Sequence, residues 1–267
     1  IILIFSFFQS NNYILTLFIF FIVFILGYVD DKRNISPTLK LGVLFFIVIL
    51  NSLVNQEILI NNLRFNYIES LNLTGSIKYL FLAFCIISFV NALNMFDGAN
   101  LQVSIYSIFL LVVIYLNSTQ LIYVYLILPL IFFSILNFKN KSFLGDSGSI
   151  LIGYAISHEI IKIYNVESIF TCEDIFLLMF LPGIDMTRLF IYRLINKKNP
   201  LKPDNEHIHH IVNRKLDKNK SLILIIILTI MPYILSLILG RLISIIISSL
   251  FYLFVITKLS KNNWDKI

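Results

Sequence analysis

Apolar residues in this chain run in blocks of roughly 14 to 20, separated by short polar stretches, and a block of that length is close to what a helix needs to cross a bilayer. The blocks lie at about 13–29, 41–54, 76–93, 101–117, 120–137, 149–164, 173–192, 221–239 and 242–257. Inside hydrocarbon a segment must satisfy its own backbone hydrogen bonds. These blocks lack the strict alternation of barrel strands, so each predicts a helix. The shorter ones reach only ~21–25 Å at ~1.5 Å per residue and must borrow flanking residues or thin the bilayer locally. The expected fold is all-α, a polytopic membrane helical bundle of about nine transmembrane helices forming one integral-membrane domain over 1–267. Composition agrees: 58% of residues are hydrophobic and only 13% charged, which excludes a water-soluble globular domain. Ahead of the first block, Ile1 to Phe8 is about half a membrane helix, with no basic segment before it and no small-residue cleavage site after it. It reads as the stub of an N-terminally truncated helix.

The polar stretches alternate in charge. Of the 21 Lys and Arg, 17 fall on one side of the expected bundle, in the segments holding Lys32 to Lys40, Lys139 and Lys141, Arg188 to Lys220, and Lys258 to Lys266. Arg64, Lys78, Lys162 and Arg241 are left on the other. The basic side is therefore assigned to the cytoplasm, with loops at 30–40, 94–100, 138–148 and 193–220. The net charge of +6 is in this reading a topological signal, and no nucleic-acid partner is expected, because the basic residues are dispersed among loop ends. Cys85 and Cys172 have no disulfide or metal spacing and read as packing residues.

Asp30, Asp31, Asp97, Asp146 and Asp185 lie at or just inside block ends on that same side, where an unpaired charge costs on the order of 1–3 kcal/mol. Five such placements on one membrane face point to a shared polar site. Adjacent Asp30 and Asp31 repel unless a cation or a shared proton intervenes, which makes one of them a candidate base, with an ordinary helix end paired to Lys32 and Arg33 as the blander reading. Asn91, Asn94 and Asp97 are spaced three apart, so a helix running through them would put two carboxamides and a carboxylate on one face, suited to a hard cation or a phosphate. Asp146, among small residues at the start of a block, sits where free N–H groups favour an anion, although Asp146 or Ser147 could equally be an N-cap. Asp185 and Arg188 read as an i, i+3 ion pair. His207, His209 and His210 are not at zinc spacing and read as donors to a sugar or phosphate.

Together these stretches resemble the polyprenyl-phosphate N-acetylhexosamine-1-phosphate transferases of glycosyltransferase family 4, from Gly27 to about residue 215. Asp30-Asp31 is similar to the family's Asp-Asp pair, and Asn91 to Asn100 to its Asn-x-x-Asn-x-x-Asp-Gly loop. Phe143 to Ser149 is similar to Phe-x-Gly-Asp-x-Gly-Ser, and Pro203 to His210 to its Pro-Asp-x-x-His-Leu-His-His segment. The resemblance implies transfer of a sugar phosphate from a UDP-N-acetylhexosamine to undecaprenyl phosphate with release of UMP, at the cytoplasmic face of a bacterial inner membrane, initiating cell-envelope glycan synthesis. It implies Mg²⁺, with Mn²⁺ as an alternative, held by Asp146 with Asn94 assisting. It further implies Lys40 on the diphosphate, Asn91 and Asn100 binding substrate with Asn100 near the uracil, and the segment from His207 through His209 to His210 around the sugar. Asp30, Asp31 and Asp97 carry the catalytic roles, Asp30 or Asp31 readying the lipid phosphate. The motif residues are expected to border one cytoplasmic cleft. The chain departs from the family at Ala99-Asn100-Leu101, where Asn-Gly-Leu is common, and at Asn34, which replaces an acid; His-Ile-His-His in place of three consecutive His points to the branch that transfers simpler sugars. A membrane transporter and a catalytically inactive truncated homologue are the competing readings, and a homodimer is compatible with either class.

Overall fold

Each of the nine expected blocks is helical in the computed structural model, which describes residues 11–199 and 206–260. The opening stub and the Pro203-Asp204 part of the last motif lie outside the described residues. The helices are α1 (Asn11–Arg33), α2 (Pro37–Val54), α3 (Ile77–Phe96), α4 (Gln102–Ser118), α5 (Ile122–Phe138), α6 (Gly145–Val166), α7 (Cys172–Leu178), α8 (Phe180–Ile195), α9 (Ile208–Asn213), α10 (Lys218–Leu239) and α11 (Arg241–Ser260). By length and apolarity, α1, α2, α3, α10 and α11 can each cross a membrane, and α7 with α8 counts as a sixth span if the bent pair is taken together. The remaining apolar helices, α4 and α5, have 17 residues each. Phe21, Phe46, Phe84, Phe132 and Leu250 are each more than half exposed, a distribution that suits lipid rather than water. The chain is a multi-pass membrane protein.

The expected loops are shorter than the sequence indicated, because helices run into them. Helix α1 continues through Asp30 and Asp31 to Arg33, and Ser36 caps α2 with Pro37 at its start, which leaves only residues 34–36 between them. Helix α6 begins at Gly145, inside the expected 138–148 loop, and α9 occupies part of 193–220.

The described residues form two compact units, one within Ile1–Arg64, Ser70–Asn94 and Leu144–Ile169, the other within Phe65–Glu69, Met95–Phe143 and Phe170–Ile267. The first is built from α1, α2, α3 and α6 around Val23, Val48, Leu82, Ile86, Leu93 and Tyr154. Glycines let its helices approach: a Cβ on Gly27 of α1 would stand 2.5 Å from the Cα of Ser147, and one on Gly153 of α6 would stand 3.1 Å from the Cα of Val90. Buried polar pairs cross the α2–α6 contact, with Asn51 donating to the Tyr154 hydroxyl at 2.8 Å and Asn55 lying 3.4 Å from the His158 ring. The segment 55–75, which looks featureless as sequence, carries a short 3-10 turn at Gln56–Ile58 and a two-stranded antiparallel ribbon pairing Asn62 with Asn72 and Leu63 with Leu71. Tyr164 fastens it: its hydroxyl accepts from the Arg64 amide at 2.6 Å and donates to the Asn62 carbonyl at 2.8 Å, with the Arg64 guanidinium 4.0 Å from the ring centre.

The second unit contains the α4–α5 and α10–α11 hairpins and the α7–α8 pair. The expected span 173–192 is not one straight helix but turns by 83° at Met179. Pro182 gives the cause. It has no N–H to donate to the carbonyl of Leu178 four residues earlier, and that carbonyl instead accepts the Tyr106 hydroxyl at 2.9 Å.

Candidate active site

In the first unit, the C-terminal ends of α1 and α3 and the N-terminal ends of α2 and α6 bring Asp30, Asp31, Lys40, Asn94 and Asp146 together. The two neighbouring aspartates do separate work. Asp31 is a cap supplied to another helix: its Oδ1 accepts from the Asp146 amide at 2.8 Å and its Oδ2 from the Ser147 amide at 3.0 Å. Those are orphan N–H groups of the first turn of α6, where the helix dipole favours negative charge. Gly145 has φ +67, and a Cβ there would also meet the Asp31 carboxylate at 3.0 Å, so glycine is required at that turn on two counts.

Asp30 is buried and accepts from the Ile35 amide at 2.8 Å and from the Lys40 ammonium. The same Lys40 Nζ lies 3.8 Å from Asp146 Oδ2, so one cation serves two carboxylates. The principal partners of the Asp-Asp pair are thus Lys40 and a helix N-terminus, whereas Lys32 lies over the ring of Tyr28. Asn94 donates its amide to Asp146 Oδ1 at 2.5 Å and to Ser149 Oγ at 2.8 Å. In this arrangement it orients the carboxylate.

Among the described residues, no three His, Cys, Asp or Glu are gathered so that they could hold a metal ion by themselves. That is compatible with Mg²⁺, which keeps several waters and binds through one or two carboxylates together with substrate phosphates. The Asp146 side chain, 36% exposed and fixed by Asn94, offers such a carboxylate beside a lysine and a helix N-terminus able to face a diphosphate.

Of the other expected residues, Asn91 belongs to the first unit, and Asp97, Asn100, His207, His209 and His210 belong to the second. The Asn-x-x-Asn-x-x-Asp stretch does not run on as one helical face: α3 ends at Phe96, which leaves Asn91 and Asn94 a turn apart on the helix and Asp97 beyond it, half-buried. The asparagine at the end of that loop is used in ties. Asn100 donates to the Asn137 carbonyl at 2.9 Å and to Asn140 Oδ1 at 2.6 Å, while Asn137 Oδ1 accepts from the Leu101 amide at 2.6 Å. Leu101 has φ +69, the left-handed conformation that glycine adopts at least cost.

His207, His209 and His210 form a run of rings. The first two are parallel within 5° with centroids 5.6 Å apart, and the last two are 4.1 Å apart. Gly98 makes room for them: a Cβ there would lie 2.0 Å from His209 Nε2, so the Asp-Gly motif and the His segment meet at that contact. Burial, followed by the neighbouring His210 and His207, lowers the His209 pKa to about 3, so its imidazole is neutral at ordinary pH.

Asp185 is more deeply engaged than an i, i+3 ion pair with Arg188. Its carboxylate accepts from Arg188 Nη2 at 2.8 Å, the Tyr252 hydroxyl at 2.9 Å, His207 Nδ1 at 3.0 Å and the Ile208 amide at 3.2 Å. Only its position at a block end and the nearby arginine could mark it in the sequence, since its partners are 22, 23 and 67 residues away.

Residues 13–164 match the model of glycosyl transferase family 4. The chain is 28% identical over 211 residues to an undecaprenyl-phosphate alpha-N-acetylglucosaminyl 1-phosphate transferase of Thermotoga maritima, covering 76% of this chain and 63% of that protein. A probable undecaprenyl-phosphate N-acetylglucosaminyl 1-phosphate transferase of Bacillus subtilis is 27% identical, covering 71% of this chain and 55% of its own length. The Escherichia coli K12 protein with the same name as the Thermotoga one is 25% identical, covering 72% and 56%. The matched region thus spans between about half and two thirds of these relatives. The match takes in Asp30-Asp31, Lys40, the Asn91 to Asn100 stretch and Asp146, and by it the chain belongs to glycosyl transferase family 4.

Proposed function

We propose that this protein transfers an N-acetylhexosamine 1-phosphate from a UDP-sugar to undecaprenyl phosphate, releasing UMP, at the cytoplasmic face of a bacterial inner membrane. The observation that carries this reading is the cluster of Asp30, Asp31, Lys40, Asn94 and Asp146 in the first unit, within the part of the chain that matches the family. An oxygen of the lipid phosphate attacks the sugar-bearing phosphorus, the bond from that phosphorus to the bridging oxygen breaks, and UMP leaves with the electron pair. Such transfers depend chiefly on alignment and on neutralising charge.

Lys40, held by Asp30, contacts the diphosphate, and the amide end of α6, held by Asp31, favours an anion beside it. Asp146, oriented by Asn94, would hold Mg²⁺, and the ion would supply positive charge to offset the negative charge developing on the leaving phosphate. Lipid phosphate is already anionic near neutral pH, so no side-chain nucleophile is needed, and Asp30 and Asp31 act by holding the groups around them. Asn100, Asp97 and the His207 to His210 segment are assigned to the nucleotide and sugar as the family resemblance implies. The placement of acids at helix ends disfavours a transporter, whose sites usually lie near the bilayer midplane at repeat interfaces.

The test is direct. Membranes containing the protein, given undecaprenyl phosphate, Mg²⁺ and individually labelled UDP-N-acetylhexosamines, are expected to move label from one of them into the lipid fraction with matching release of UMP. UMP released without any lipid product, or labelled lipid formed equally well by the purified protein in detergent with and without undecaprenyl phosphate, contradicts the proposal.

A further inference from the structure

The His segment is anchored rather than merely adjacent to a polar patch. Arg188 Nη2 donates to the Glu206 carbonyl at 2.7 Å, while Asp185 takes the His207 ring and the Ile208 amide. Three consecutive residues are therefore tied to two side chains one turn apart on α8. Tyr252 of α11 closes the arrangement, donating to Asp185 and accepting from Arg188 Nε at 2.8 Å. Asp185 is 4% exposed. A carboxylate buried to that degree is expensive to desolvate and contributes little net stability over a well-packed apolar residue, so its value lies in the geometry it imposes. Its contact with Nδ1 of His207 also decides which ring nitrogen is left for a ligand, namely Nε2.

We propose that Asp185 is a positioning residue of the transfer reaction which, with Arg188 and Tyr252, fixes residues 206–208 and so presents the run of His207, His209 and His210 to the sugar phosphate. This rests on the function proposed above. It adds α8 and α11, both outside the family match, to the machinery.

The four histidines of the chain supply the test, because His158 is buried in the first unit and serves as an internal control. Purified protein in detergent is treated with diethyl pyrocarbonate, and the reaction rate of each histidine is read by mass spectrometry. His207 and His209 are expected to react slowly in the unaltered protein. Asp185→Asn should speed both about tenfold, the scale of losing a charged hydrogen bond, and Tyr252→Phe about threefold, with His158 unchanged. In parallel, KM for the nucleotide sugar should rise by similar factors while KM for the lipid phosphate stays fixed. Should Asp185→Asn fail to fold, Tyr252→Phe, which keeps the carboxylate and most of the ring, decides alone. Unaltered rates at His207 and His209, or an equal increase at His158, overturn the proposal. The expected histidine pattern in a protein without transferase activity supports the anchor while contradicting the reaction assigned to it.

Discussion

Asp30 and Asp31 are neighbours on a helix, yet their side chains diverge, one taking Lys40 and Ile35 and the other capping α6. Their proximity to Asp146 depends on Gly27, one turn earlier. Gly27→Ala would force a Cβ against the backbone of Ser147, an overpacking expected to cost about 1–3 kcal/mol and to move the α6 start away from Asp31. Gly42→Ala has open space inside α2 and should leave stability unchanged or raise it by up to about 1 kcal/mol. Thermal unfolding in detergent and UMP release, measured on both variants, should both fall for the first alone.

His209 sets a pH dependence at the same scale. Its pKa is depressed to about 3 in the folded protein from an ordinary value of 6.5, so the unfolded chain binds the extra proton between those values. The stability it contributes is present above pH 6.5 and is lost as pH falls toward 3, by on the order of 1–2 kcal/mol at pH 5. Melting temperatures from pH 7 to 5 should fall less steeply in His209→Gln. The acids and histidines were legible as candidates, since charge at the end of an apolar block is conspicuous. Their division of labour was not, because Asp31's partners lie 115 and 116 residues away.

Helices were read from block length and apolarity alone, and these signals locate segments well but not their ends or breaks. The continuation of α1 to Arg33 and the start of α6 at Gly145 are set by Pro37, Ser36 and the cap from Asp31, all contacts at the margins of the apolar blocks. The 83° turn at Met179 follows from Pro182 together with a hydroxyl from Tyr106, and only the proline is local. The ribbon between Asn62 and Asn72 gave no signal because its strands have two residues each and its fastening comes from α6. Tyr164→Phe removes that fastening and strands the Arg64 amide, a loss of about 1–3 kcal/mol. Amide exchange should quicken over residues 60–72 and stay slow in the middle of α6. Equal quickening in both would mean that the tyrosine serves α6 packing instead.

For the whole molecule, the scarcity of charge made a membrane protein readable from composition, and the order of four short motifs made the family readable. The division of the described residues into two units was hidden, and one of the points where the chain passes between them falls within the Asn-x-x-Asn-x-x-Asp stretch, between Asn94 and Met95. No periodicity marks such a point, because it depends on which helices pack together. In the proposed account, the carboxylate of Asp146 is the group on which phosphate transfer turns, with Asn94, Lys40 and the Asp31-capped helix end arranged around it. The most direct measurement is UMP release by Asp146→Asn, in Mg²⁺ and undecaprenyl phosphate, from protein whose melting temperature matches the unaltered chain. A loss of at least about 100-fold is expected, on the scale of removing a main electrostatic contributor to the transition state. Retention of more than about half the activity would contradict the account.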